Sequence, residues 1–153
     1  MAVPAPIKIT RIPDSETHWL RIFQGCQQFI GSIAATLPEP MPDDWEARKR
    51  WYAILHRFDP WGDHLGTEAR FAGTTADGED QVLERARGWL REMVGGLGKV
   101  MFCDVEVRLF SAEIDGQTFG LVDASGPDWG QESVHLVPGD LAFFEPWDGS
   151  WDT

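Results

Sequence analysis

The chain has 153 residues, 42% of them hydrophobic, with nine Phe and eight Trp, which suits one packed domain spanning 1–153 and excludes the low-hydrophobicity pattern of disorder. Its formal net charge is −12, from 25 acidic against 13 basic residues, which disfavours nucleic acid as a ligand because phosphate neutralisation needs clustered cations. No segment approaches the roughly 20 apolar residues of a membrane span, and Met1 to Pro6 carry no basic leader, so a cytoplasmic protein that binds no membrane is expected.

In chain order, Ile7 to Ile12 alternates apolar and polar residues before Pro13, as a short edge strand does. The apolar runs His18–Phe23 and Phe29–Leu37 flank Gln24-Gly25-Cys26-Gln27, a loop with the length and glycine of a hairpin. Pro38, Pro40 and Pro42 preclude helix and central strand alike, leaving a surface connection, with one helical turn possible from Trp45 to Arg50. Trp51 to Phe58 is apolar on both alternating faces and reads as a covered central strand. Asp59-Pro60-Trp61-Gly62-Asp63 has turn chemistry, after which Leu65, Thr67, Ala69 and Phe71 are expected to line one face of a partner strand.

Val82, Leu83, Ala86, Trp89, Leu90, Met93 and Val94 recur at helical spacing, predicting an amphipathic helix from about Asp77 to Val94. Thr74, Thr75 or Asp77 can cap it, and Gly95, Gly96 and Gly98 supply its stop. Val105, Val107 and Leu109 then alternate with charged residues, and Asp115-Gly116 between two alternating runs is the clearest hairpin signature in the chain. Val134–Val137 and Leu141–Phe144 form short strands around Pro138-Gly139-Asp140. Several hairpins and one strong helix predict an α+β fold, a mostly antiparallel sheet with the helix on one face. The strand order is not readable.

Chemistry-bearing patterns are sparse. Cys26 and Cys103 lack disulfide-framework or zinc spacing and read as free thiols. Asp59, Asp63 and His64 could cluster at a turn, but no metal-ligand spacing appears and no metal is expected. Gly95-Gly96-Leu97-Gly98 follows a helix, whereas phosphate-binding glycines precede one, so no cofactor is expected either. If the protein were an enzyme or ligand binder, its site would be assembled across the sheet from His56, Cys103, Asp104 and His135.

The charge is concentrated. After Arg108 there are nine carboxylates and no Lys or Arg, a field that attracts a basic protein surface. Trp129, Trp147 and Trp151 lie among those acids, and Trp129, Trp147, Asp148, Trp151 and Asp152 are the candidate partner-binding residues. A carboxy-terminal Trp can instead tuck back over the core.

The segments Lys49–His56, Phe71–Thr74, Asp104–Phe110, Asp115-Gly116, Phe119–Val122 and Trp147-Asp148-Gly149-Ser150-Trp151-Asp152-Thr153 resemble a group of actinobacterial proteins of similar length labelled formate hydrogenlyase regulatory protein. The resemblance runs from about Lys8 to the end and implies a complete chain with a regulatory, non-enzymatic role. It brings no site residues with it. Residues and resemblance together lead to a non-catalytic acidic regulatory or protein-binding domain that occupies a basic partner surface. An immunity protein neutralising a toxin works in the same physical mode, and a small enzyme or ligand binder is the other alternative.

Overall fold

The computed structural model describes residues 5–9, 17–22, 27–38, 40–123, 133–138, 141–144 and 147. Among them are β1 (Ile7–Ile9), β2 (Thr17–Ile22), β3 (Gln28–Thr36), β4 (Arg50–Phe58), β5 (His64–Thr74), α1 (Glu79–Gly95), β6 (Val100–Phe102), β7 (Val105–Val107), β8 (Phe110–Ile114), β9 (Gln117–Asp123), β10 (Ser133–Val137) and β11 (Leu141–Phe144). All pairings are antiparallel. The α+β fold with a helix on a sheet is therefore present.

One sheet runs β5-β4-β3-β2-β6 and a second is the meander β11-β10-β9-β8, with β1 and β7 pairing as a separate ribbon. β5 and β6 lie at opposite edges of the larger sheet, so α1, which joins them in sequence, has to cross its face. The helix meets that face with Val82, Ala86, Leu90 and Met93, which are buried with Phe29, Ala53, Leu55 and Ala72. Their spacing is the helical stripe read in the sequence. Burying each Leu- or Met-sized side chain is worth about 1.5–3 kcal/mol.

The other face of β3 and β4 is covered by the second sheet. Ile30 and Phe58 join Leu121, Val134, Leu136 and Phe143 in one cluster, to which the ribbon adds Ile7, Ile9, Val105 and Val107. Tyr52, Ile54 and Ala34 close a second cluster on Phe119. The molecule is thus three layers, helix on sheet on sheet, and β4 is central because both its alternating faces are covered.

Turn chemistry sets the registers. Asp115 and Gly116 take φ of 52° and 77°, the left-handed pair that a two-residue hairpin needs to match strand twist. Gly62, at φ 89°, lies so close to β7 that a Cβ there would sit 2.7 Å from the Glu106 carbonyl oxygen; its own carbonyl accepts from the Arg108 N–H at 2.8 Å. Buried Gln28 reinforces this junction, donating to the Glu106 carbonyl and accepting from the Glu106 N–H, both at 2.8 Å.

Two local expectations are corrected. The N-cap of α1 is Gly78, which has no side chain to offer; Thr74 and Asp77 instead form a capping box around the preceding 3-10 turn, Thr75–Asp77. On β5, Thr67, Ala69 and Phe71 do face one side, opposite His56, Ile54 and Tyr52, but Leu65 does not join them. A bulge skips Leu65 and sets His64 opposite Phe58, because one extra residue inverts the alternation of a strand. Leu65 is left 52% exposed.

Candidate functional site

The bulge assembles a polar cluster inside the sandwich. His56, in mid-β4, is 1% exposed, and its Nδ1 lies 2.8 Å from the Thr67 hydroxyl. His64 Nε2 lies 2.8 Å from the same oxygen. A hydroxyl carries one proton, so it donates to at most one ring, and at least one ring donates an N–H to it. Phe110 of β8 stacks on His64, with centroids 4.4 Å apart and planes at 20°, and meets His56 and Phe58 edge-on.

Both rings are held toward their neutral forms. Burial pushes His56 down to about 3, and the positive charge that His64 can carry acts in the same direction. His64 is lowered by burial, an effect countered by a hydrogen bond to the Gly66 backbone and reinforced by Arg57. His56 is too enclosed to reach a substrate, and the Thr67 hydroxyl is occupied by both rings. The arrangement fixes the packing of β4, β5 and β8, and offers no nucleophile.

The cross-sheet candidates go to separate places. His56 faces the second sheet, whereas His135 alternates with the inward Val134 and Leu136 and so points to the outer side of that sheet. Half-buried Cys103 and exposed Asp104 occupy the bend between β6 and β7. The turn residues diverge as well: Asp59 Oδ1 accepts from the Trp61 and Asp63 N–H groups at 3.0 and 2.9 Å, and Asp63 pairs with Arg108 at 3.2 Å. No three His, Cys, Asp or Glu side chains converge as a metal site among the described residues.

Of the carboxy-terminal candidates, Trp129, Asp148, Trp151 and Asp152 lie outside the described residues, as do Cys26 and the side chain of Trp19. Trp147 is half-buried and packs against the inter-sheet cluster. Its indole N–H is buried and makes no hydrogen bond among the described residues. Trp61, by contrast, is 72% exposed.

Three surface features were not legible beforehand. The turn at 43–48 is tied to the 3-10 turn before α1 by Thr75 N–H to Lys49 O at 3.1 Å and Ala76 N–H to Ala47 O at 2.9 Å. These bonds set exposed Asp43, Asp44 and Glu46 beside exposed Asp77, Glu79 and Asp80, segments about 30 residues apart in sequence. Arg48 is held by Asp44 at 3.0 Å, and Lys49 lies over the Trp45 ring, 5.4 Å from its centroid. Nearby, the ends of β3 and β4, the turn residues Trp45 and Lys49, the start of β9 and the end of β10 line a cleft of about 610 Å³. A second groove, of about 510 Å³, runs between the end of α1 and β5. Neither cleft is lined by His56, Cys103, Asp104 or His135.

No family model matches the chain, and no curated protein or solved structure is significantly similar to it. No helix among the described residues is long and apolar enough to cross a membrane.

Proposed function

We propose that this protein is a non-catalytic, acidic protein-binding domain that regulates a partner by occupying its basic surface. The observation that carries the reading is a pair of acidic segments, exposed Asp43, Asp44 and Glu46 and exposed Asp77, Glu79 and Asp80, whose adjoining turns are tied by two backbone hydrogen bonds, with Arg48 paired to Asp44 between them. With the net charge of −12, such a surface speeds encounter with a cationic partner and penalises anionic ones. Support also comes from the enclosure of His56, whose surroundings hold polar groups for packing and leave none for turnover. The regulatory role implied by the sequence resemblance belongs to the same proposal, and immunity toward a basic nuclease toxin is a special case of it.

The test is capture of a stoichiometric partner at low salt, eluted by a salt gradient and identified. A variant carrying Asp43→Asn, Glu46→Gln, Glu79→Gln and Asp80→Asn should lose that partner while keeping its circular dichroism spectrum. Binding by the variant at wild-type salt strength, or no salt-eluted partner at all, would overturn the reading.

A further inference from the structure

The cleft at the ends of β3 and β4 is walled by aromatic and aliphatic side chains, among them Leu37, Trp45, Trp51 and Pro138. Its volume falls within the range of small-molecule sites, about 300–1,000 Å³. Among the described residues Lys49 is the one charged residue lining it, and its ammonium lies over the ring of Trp45, another lining residue. Lys49 makes no ion pair among the described residues; its ammonium rests on the Trp45 ring, an attraction that leaves its three N–H donors available.

A second polar group near the cleft is sealed away from it. Thr36, at the end of β3, is 4% exposed and faces the second sheet, and its hydroxyl is shut off from solvent. The Trp51 indole N–H is already spent on the Thr75 hydroxyl at 2.9 Å, so the indole presents apolar surface to the cleft.

From this geometry we infer that the cleft is a binding site for a small apolar carboxylate, an aromatic or short alkyl acid. Its hydrophobic body lies between Trp45, Trp51 and Pro138, and its carboxylate meets the Lys49 ammonium. A single cation in an apolar cavity selects an anion because the carboxylate forms charge-assisted hydrogen bonds there that a neutral group cannot replace. This site is separate from the acidic surface and needs no protein partner.

The test uses isothermal titration of the purified protein with naphthaleneacetate and with its neutral isostere naphthaleneacetamide. One-site binding is expected, with the acid at least about tenfold tighter than the amide. Lys49→Met should bring the acid to the level of the amide and leave the amide unchanged, whereas Lys49→Arg should retain the preference. Equal affinity of acid and amide, or an acid preference that survives Lys49→Met, would overturn the proposal. So would the absence of binding by both probes at millimolar concentration, including the case in which a proline-rich peptide binds the cleft instead.

Discussion

The two faces of β4 are covered in different ways. Toward the helix, the buried residues of the cluster are all apolar, from Phe29 and Leu55 to Leu90 and Met93. Toward the second sheet, the interior also holds Gln28, Ser32, Thr36 and His56, which share the inward alternation of Ile30, Ala34 and Ile54. A helix satisfies its own backbone and needs only an apolar stripe for docking. Sheet-on-sheet packing must also join strand ends and bulges that no ladder satisfies, and side chains such as Gln28 supply those bonds. The helix side therefore tolerates change by volume, and the sheet side by hydrogen-bond geometry.

The largest single loss is expected on the helix side. Leu90→Ala removes a buried side chain facing β3 and β4 and should cost about 3 kcal/mol in urea unfolding. Recovery of most of that stability by Leu90→Met would identify the term as packing volume. On the sheet side Gln28→Leu keeps the volume and removes the bonds to the Glu106 backbone. A loss of about 2 kcal/mol is expected for the stranded N–H and C=O. A neutral result would erase the distinction between the faces.

Acid titration sharpens the contrast further. His56 is held neutral, near 3, by burial, while in the unfolded chain it takes a proton near 6.5. Between those values the unfolded state binds the extra proton. The contribution of neutral His56 is thus complete above about pH 6.5 and falls by about 1.4 kcal/mol per pH unit as pH drops toward 3. His64 shares the direction. Denaturant midpoints measured from pH 7 to pH 4 should show this slope, and His56→Phe should flatten it. An unchanged slope would assign the acid sensitivity elsewhere.

The smallest effect belongs to Asp77, whose carboxyl is held below the usual carboxylate range by hydrogen bonds from the Thr74 N–H and hydroxyl. Its stabilisation is present above the ordinary carboxylate pKa and disappears as pH falls through the lowered one. Asp77→Asn should reduce thermal stability slightly at pH 7 and make no difference at the acid end.

The candidate sites were less legible than the fold. His56 and His64 were recognisable as near neighbours in sequence, but their meeting at Thr67 depends on the bulge at Leu65, which no residue pattern announces. The cleft draws its walls from β3, β4, β9 and β10, and the acidic surface from segments about 30 residues apart joined through backbone atoms. Such convergence has no local signature.

By itself the sequence determined what neighbouring residues decide: the α1 stripe, the left-handed Asp115-Gly116 turn, the double-sided apolar run of β4 and the proline-marked connection at 38–42. These follow from side-chain periodicity and backbone sterics, which act over a few residues. Tertiary structure alone decided the order β5-β4-β3-β2-β6, the second sheet over β4 and the inward turn of His64. The reason is physical: an apolar strand face specifies that it be covered, while what covers it is chosen by competition among all the apolar faces of the chain.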